Sequence, residues 1–331
     1  VEWGLTKKSS MLVSHITGVK SKTGVEAEGW FVGCPLTPKQ MLSLPKEFVY
    51  KKIIDAAKIA QDMGAKIVGL GAFTSVVGDG GRTIAQNVDI AITTGNSFTV
   101  ATAVDGAVKA ARLMDIDPAA ASVAVVGAAG SIGRTCAQIL SRQAAHITLV
   151  GLATDPLEKV AEELRTFGSA EIGISSNVEQ GIREADIVVT VSSATDAIVE
   201  PSYIKTGAVV CDVARPRDVS KRVVEERDDV LVIDGGVVAV PGDVEFNFSF
   251  GFPPKTAYAC MSETMALSLE ARYECFTLGK ELTLQQVEEI SAICSKHGFE
   301  LAGFRSFEKA VTDEQIETIR QNAKRRKSRA K

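Results

Sequence analysis

Two sets of residues have types and spacing that could do chemistry. The first centres on a thiol. Cys260 lies in "AYACMSETMALSLEAR", residues 257–272, a stretch with helical spacing and a carboxylate, Glu263, one turn further on. Pro253 and Pro254 precede it and favour a helix start there. The thiol would then feel the positive end of a helix, with Lys255 near, and both features lower a thiol pKa toward the reactive thiolate. The residues alone leave two readings open, a buried structural cysteine or a nucleophile. The second set is glycine. "VAVVGAAGSIGRT" places Gly127, Gly130 and Gly133 between an apolar run and a helical one. Glycine there permits a tight turn and close backbone approach to a pyrophosphate, and the next helix presents its positive end to the same anion. The loop Gly127, Ala128, Ala129, Gly130, Ser131, Ile132 and Gly133 is therefore the expected dinucleotide cradle, in the variant spacing G-x-x-G-x-x-G.

The elements that must position these groups follow from periodicity. From 122 to 236, Val- and Ile-rich runs alternate with helical segments about every dozen residues: "SVAVVGA", "SIGRTCAQILSRQ", "HITLVG", "DPLEKVAEELRTF", "EIGISS", "NVEQGIREA", "DIVVTVSS", "GAVVCDVA", "DVSKRVVEE", "VLVIDGG". Six strands buried on both faces predict an α/β fold with a Rossmann-like, doubly wound parallel sheet. Ser192, at the end of the fourth strand, joins the cofactor set. Before this region, "HITGVKSKTGVEAEGWFVGCPLTP" reads as a hairpin turning near Lys22–Gly24, and "KEFVYKKIIDAAKIAQDMG" (46–64) as an amphipathic helix ending at Gly64. Residues 65–73 and 89–97 read as strands and 97–114 as a helix. The division expected is an N-terminal α/β substrate domain (1–105), a dinucleotide domain (106–250) and a C-terminal helical segment packing on the N-terminal domain (251–331).

Composition narrows the class. The chain has 331 residues, 45% hydrophobic and 24% charged, as in ordinary globular proteins. No apolar run reaches the roughly eighteen residues of a membrane span. "VEWGLTKKSS" has no signal-peptide core, and it lacks an initiator Met, as a fragment or processed form would. Six cysteines without a CxxC motif, at 34, 136, 211, 260, 275 and 294, read as free thiols in a reducing cytoplasm. The three histidines are far apart, and no metal site is expected. The tail "KRRKSRAK", from Lys324, carries six cations; without them 31 basic residues face 41 acidic ones. Such a run reads first as a solvated, disordered end and second as a foothold for an acidic partner. Nothing else points to nucleic acid.

"GLGAFTSVVGDGG" (69–81) and "ITTGNSFT" (92–99) place small polar residues directly after apolar strands. Each alone is ordinary turn chemistry; two such loops suggest a cleft in which Ser75, Thr94 and Asn96, with Thr74, bond a carbonyl oxygen. Cys136 and Cys211 read as core; Cys275 and Cys294 fall on later helices; Cys34 lies in a loop. "FNFSFGF" (246–252) reads as a half-buried strand rather than a phenylalanine-lined groove. At the end of the second strand, "TLVGLATD" has Gly151 where an acid usually binds a ribose 2′-hydroxyl. That leans toward NADPH, with NADH the alternative, and Thr154 or Lys159 near the 2′-phosphate.

In this order "LGAFTSVV", "TTGNSFT", "VAVVGAAGSIG", "VIDGGVV", "AYACMSETM" and "KHGF" resemble the long-chain acyl-(acyl-carrier-protein) reductases, from about residue 15 to about residue 303. The resemblance implies that Cys260 is the nucleophile of an NADPH-dependent reduction of a long-chain acyl thioester, on carrier protein or CoA, to a fatty aldehyde. It implies an acyl-enzyme, with Ser75, Thr94 or Asn96 stabilising the oxyanion and Glu263 orienting groups or relaying a proton. The chain departs from that family at Phe98, where a His is usual, and at "GLATD", where an Arg is expected. The layout also resembles shikimate and amino-acid dehydrogenases, which reduce a carbonyl without a cysteine; "TTGNS" lacks the Asp those enzymes carry. A non-catalytic nucleotide-binding scaffold is the third reading. A homo-oligomer is compatible with all three.

Overall fold

The computed structural model describes residue 4 and residues 6–329. The chain start and the last two residues of the basic tail, on which the readings of a missing Met and a solvated end partly rest, lie outside the described residues. Two units emerge. One runs to Phe98 and resumes over Val238–Ala302; the other comprises Thr99–Val237 and residues from Gly303 on. This differs from the three-part division above. The chain changes unit within the helix Asn96–Leu113, after Val237 and again after Ala302.

The second unit is built on a six-stranded sheet. Numbered along the chain, its strands are Ser122–Val126, His146–Val150, Glu171–Ser175, Ile187–Thr190, Val209–Asp212 and Leu231–Asp234. Their spatial order is 3-2-1-4-5-6, and every pairing is parallel. Crossover helices include Ser131–Leu140 and Thr154–Phe167. Both faces of the central strands are thereby buried, which is why Val123–Val126 and Ile187–Val189 are apolar without alternation. The fold is the Rossmann-like α/β architecture read from the sequence.

The C-terminal segment differs from expectation. Residues Asp313–Arg329 form a helix in this unit, not a disordered end. Lys324 pairs with Asp115, and Arg326 with Asp228 and Asp229; these ion pairs and the buried Ile316 and Ala323 hold it. Two of the tail's six cations, Lys324 and Arg326, therefore meet carboxylates of their own chain.

The first unit is mixed. The predicted hairpin, Met11–Lys20 with Glu26–Gly33, gains Gly242–Glu245 as a third antiparallel strand. Ile67–Gly69 pairs in parallel with Ala91–Thr93. These strands are shorter than 65–73 and 89–97, because the chain turns into a 3₁₀ segment at Ala72–Ser75 and a helix at Asn96. The helix Lys46–Asp62 buries Val49, Ile53, Ala57 and Ala60 on one face and ends before Gly64 in the left-handed region. Burying a Val or Ile there contributes about 1.5–3 kcal/mol. Two readings fail. Phe246–Phe252 is loop, not strand, since the strand stops at Glu245; its rings pack on one another and on Phe31. Cys275 is exposed and outside the helices Ala259–Leu269 and Leu284–His297. Among the described residues no helix is long and apolar enough to cross a membrane.

Candidate active site and nucleotide loop

The thiol of Cys260 sits in the first turn of the helix Ala259–Leu269. Pro253 and Pro254 do not start that helix: a short strand, Thr256–Tyr258, intervenes, and extended Tyr258 is the N-cap without a side-chain bond. Lys255 is no partner of the thiol, because its ammonium bonds Asp243 Oδ1 at 2.6 Å. The expected lowering of the thiol pKa is thus reversed. Burial, then the nearby charge of Glu263, pushes Cys260 up to about 11, while the nearby backbone amides of Met261, Cys260 itself and Ala72 act in the opposite direction. Ala72 holds a φ of 49°, a strained conformation for a residue with a side chain. Ser75 Oγ donates to Ala72 O at 2.7 Å, and Thr74 Oγ1 to Gly71 O at 2.6 Å. The two hydroxyls brace the turn that aims the Ala72 amide.

Cys260 opens on a cavity of about 510 Å³. Its walls come from the hairpin (Ile16, Val19, Phe31), the helix Lys46–Asp62 (Ile53, Ala57, Ala60), the strand from Ile67 onward, and Met261 and Met265 of the Cys260 helix. Cys34 and Thr74 also line it; Ser75, Thr94 and Asn96 do not. The only charged residues in the lining are Glu28 and Lys66. Neutral, apolar walls suit a hydrocarbon.

The opposite side of the thiol is formed by the second polar loop. Gly95 has a φ of 72°, and a Cβ built on it would lie 2.4 Å from the Cys260 Cβ; only glycine lets the loop approach so closely. Beside it Thr94 is 1% exposed, and its Oγ1 has no hydrogen-bond partner among the described residues. Buried hydroxyls are rarely left so, and each calls for an explanation. Asn96 is half-buried at the start of the next helix.

Glu263 is 0% exposed and accepts four bonds. Thr93 Oγ1 donates at 2.5 Å, Ser97 Oγ at 2.6 Å, Phe98 N at 3.0 Å and Thr277 Oγ1 at 3.0 Å. The carboxylate ties the loop 93–98, the Cys260 helix and the segment at Thr277 together. That saturation favours a staple over the proton relay read from its spacing. The partners Thr93, Ser97 and Thr277 were not singled out in the sequence; a Glu on an otherwise apolar helix face was the available signal that buried donors must meet it.

In the other unit the glycine loop has the form a dinucleotide requires. Gly127 has a φ of 84°, and a Cβ there would lie 3.0 Å from the backbone of Ser192. A Cβ on Gly133 would lie 2.3 Å from Gly127 O. Gly127 N and Ala128 N bond Val150 O, and Gly130 N bonds Gly127 O, so these amides shape the loop. The first helical amides, Ser131 to Gly133, have no acceptor within the helix, and Gly130 as N-cap supplies no side-chain oxygen. An anion fits that open end. Ala129 completes the turn. Ser192 donates from N and Oγ to the two oxygens of Asp218, which also accepts from Thr190. Burial pushes neighbouring Asp212 up to about 7, with Arg215 opposing. This acidic pair at the strand ends was not anticipated. Thr154 and Lys159 are exposed on the helix after the second strand.

Comparison with known proteins supports the nucleotide-binding fold of this unit. Residues 109–235 match the model of the shikimate/quinate 5-dehydrogenase family. This unit is an NAD(P)-binding fold of the dehydrogenase type. The chain is 30% identical over 305 residues to the aminotransferase PigE of a Serratia species, covering 90% of this chain but 35% of that protein. It thus spans about a third of that relative's length. It is 27% identical over 311 residues to the long-chain acyl-[acyl-carrier-protein] reductase of Synechococcus elongatus, covering 87% and 86% of the two chains. Among solved structures, a dipicolinate synthase component from Bacillus halodurans is 17% identical, covers 57% of this chain and 61% of its own, and superposes with a TM-score of 0.37.

Proposed function

We propose that this oxidoreductase reduces an acyl thioester to an aldehyde through an acyl-enzyme on Cys260. The observation that carries the reading is a thiol in the first turn of a helix, opening on a largely apolar cavity of about 510 Å³. Cys260 Sγ attacks the thioester carbonyl; the S–C bond to the carrier breaks, and the departing thiol carries away the proton that Cys260 loses. The net exchange is thiol for thiol, but the attacking species is the thiolate, so with the pKa raised to about 11 the attack draws on the small ionised fraction and quickens as pH rises. The glycine loop Gly127–Gly133 would hold a reduced nicotinamide, which would supply a hydride to the acyl carbon. The C–S bond of the resulting hemithioacetal anion on Sγ then breaks to give the aldehyde, and the Cys260 thiolate regains its proton from solvent. The oxyanion formed at each step needs donors. Thr94 Oγ–H, buried and unpartnered, and the Ala72 amide are proposed for it. Ser75 and Glu263 act as positioning residues, and Asn96 remains a candidate contact to the thioester.

NADPH is the proposed donor, because neither Gly151 nor the following Leu152 offers a carboxylate to repel a 2′-phosphate; Thr154 and Lys159 are the groups nearby that could meet it, with the Asp155 carboxylate of the same helix opposing. Acyl-carrier protein or acyl-CoA is the proposed substrate, as the 27% relationship to a reductase so named suggests. The rival reading, a direct carbonyl dehydrogenase, draws on the family match over 109–235. That match lies outside the cavity, whose apolar lining has little for a hydroxylated acid.

Intact-protein mass after mixing with acyl-CoA, without reduced cofactor, tests the proposal. An acyl-sized gain that is absent in Cys260→Ala and discharged as aldehyde by NADPH is the expected result. No adduct at any chain length, with cofactor binding intact, overturns it.

A further inference from the structure

We propose that the cavity gauges acyl chain length, with Ala57 and Ala60 as the residues that set the gauge; this rests on the acyl-enzyme reading above. Two helices bound the cavity over the same distance. From Cys260 to Ser268 the lining follows one helix for eight residues, a rise of about 12 Å. From Ile53 to Ala60 it follows the other for about 10 Å. The strand wall runs antiparallel to the Cys260 helix. Ala72 lies near the thiol and lines the cavity with it, and a Cβ on Gly69 would lie 2.1 Å from Thr264 Oγ1, one turn deeper.

Beyond that level the lining includes polar residues on both walls, Ser268 on the helix and Lys66 just before the strand Ile67–Gly69. An extended chain advances roughly 1.2 Å per bond, from about 3.6 Å per three-bond residue. About ten carbons therefore reach from the thiol to Ser268. Volume is not the limit. At roughly 30 Å³ per water-sized group, the cavity holds more groups than a ten-carbon chain has.

What keeps this space open is missing side-chain volume. The buried face of the helix Lys46–Asp62 carries Val49 and Ile53 in its first half but Ala57 and Ala60 in its second. Gly29 and Gly71 also line the cavity, and a Cβ on either would meet no atom within 4 Å. Neither packing nor a left-handed φ requires glycine at these two positions, so the bare wall is room for a guest.

The test is acylation of the full chain by straight-chain acyl-CoA from four to sixteen carbons, read by intact mass. The half-saturating concentration should fall about fourfold per added methylene up to about ten carbons, and then level. In Ala60→Leu and, separately, Ala57→Val the break should move to shorter chains. The advantage of ten carbons over four should shrink at least tenfold. Val at 57 adds little volume, and urea unfolding of both variants identifies a folding failure. A gain that continues unbroken to sixteen carbons, or an unchanged profile in a folded variant, overturns the gauge while leaving the acyl-enzyme standing. Absence of any adduct at every length instead removes the reading on which it rests.

Discussion

Thr94→Val should make the protein more stable and less active, a pair of effects that few substitutions combine. The Thr94 hydroxyl is buried without a partner, and an unsatisfied buried polar group costs roughly 1–3 kcal/mol. Valine keeps the branched shape and replaces only the hydroxyl. The backbone bond from Thr94 N to Thr277 O, 2.9 Å, is unaffected. A gain of about 1–2 kcal/mol is expected; for a unit of this size each kcal/mol moves Tm by about 2–4 °C. If that hydroxyl donates to the oxyanion, its loss should slow single-turnover discharge of the acyl-enzyme by about 10²–10³-fold. Differential scanning calorimetry and rapid-quench aldehyde formation measure the two halves. A lowered Tm would show that the hydroxyl has a structural partner. A raised Tm with undiminished discharge would refute its role as oxyanion donor.

Glu263→Gln should destabilise the protein by about 2–4 kcal/mol, since charge-assisted bonds to Thr93, Ser97, Phe98 and Thr277 become neutral ones or are lost; urea unfolding with unchanged stability would argue for a relay instead. Gly133→Ala should weaken nicotinamide cofactor binding at least tenfold by fluorescence titration, because the new Cβ would meet Gly127 O at 2.3 Å. With its pKa raised to about 11, the Cys260 thiol is protonated at neutral pH. Its alkylation by iodoacetamide, followed by peptide mass, should therefore rise about tenfold per pH unit from 7 to 10. A plateau near pH 8 would contradict the burial assigned to it. The same shift means the fold favours the neutral thiol. That preference costs nothing below the unfolded value near 9 and lowers stability as pH rises above it.

Much of the architecture was legible along the chain. The six strands between 122 and 236, the glycine loop and the amphipathic helix from Lys46 are written in unbroken Val/Ile runs, in period-3.6 patterns and in glycine placement, all local signals. Cys260 on a helix was legible for the same reason. Its environment was not. Lys255 is five residues from Cys260 yet pairs with Asp243, whereas the Ala72 amide, nearly two hundred residues away, lies near the thiol. The four donors to Glu263 come mostly from residues more than 160 positions distant. A pKa is set by burial and by such neighbours, so tertiary structure reversed its direction. The basic tail was misread because a charge run in isolation has nothing to bury; Asp115 and Asp228 supply the partners that order it as helix. The cavity, finally, is volume that side chains leave empty. A sequence shows which residues are small, and only packing shows where their smallness becomes space.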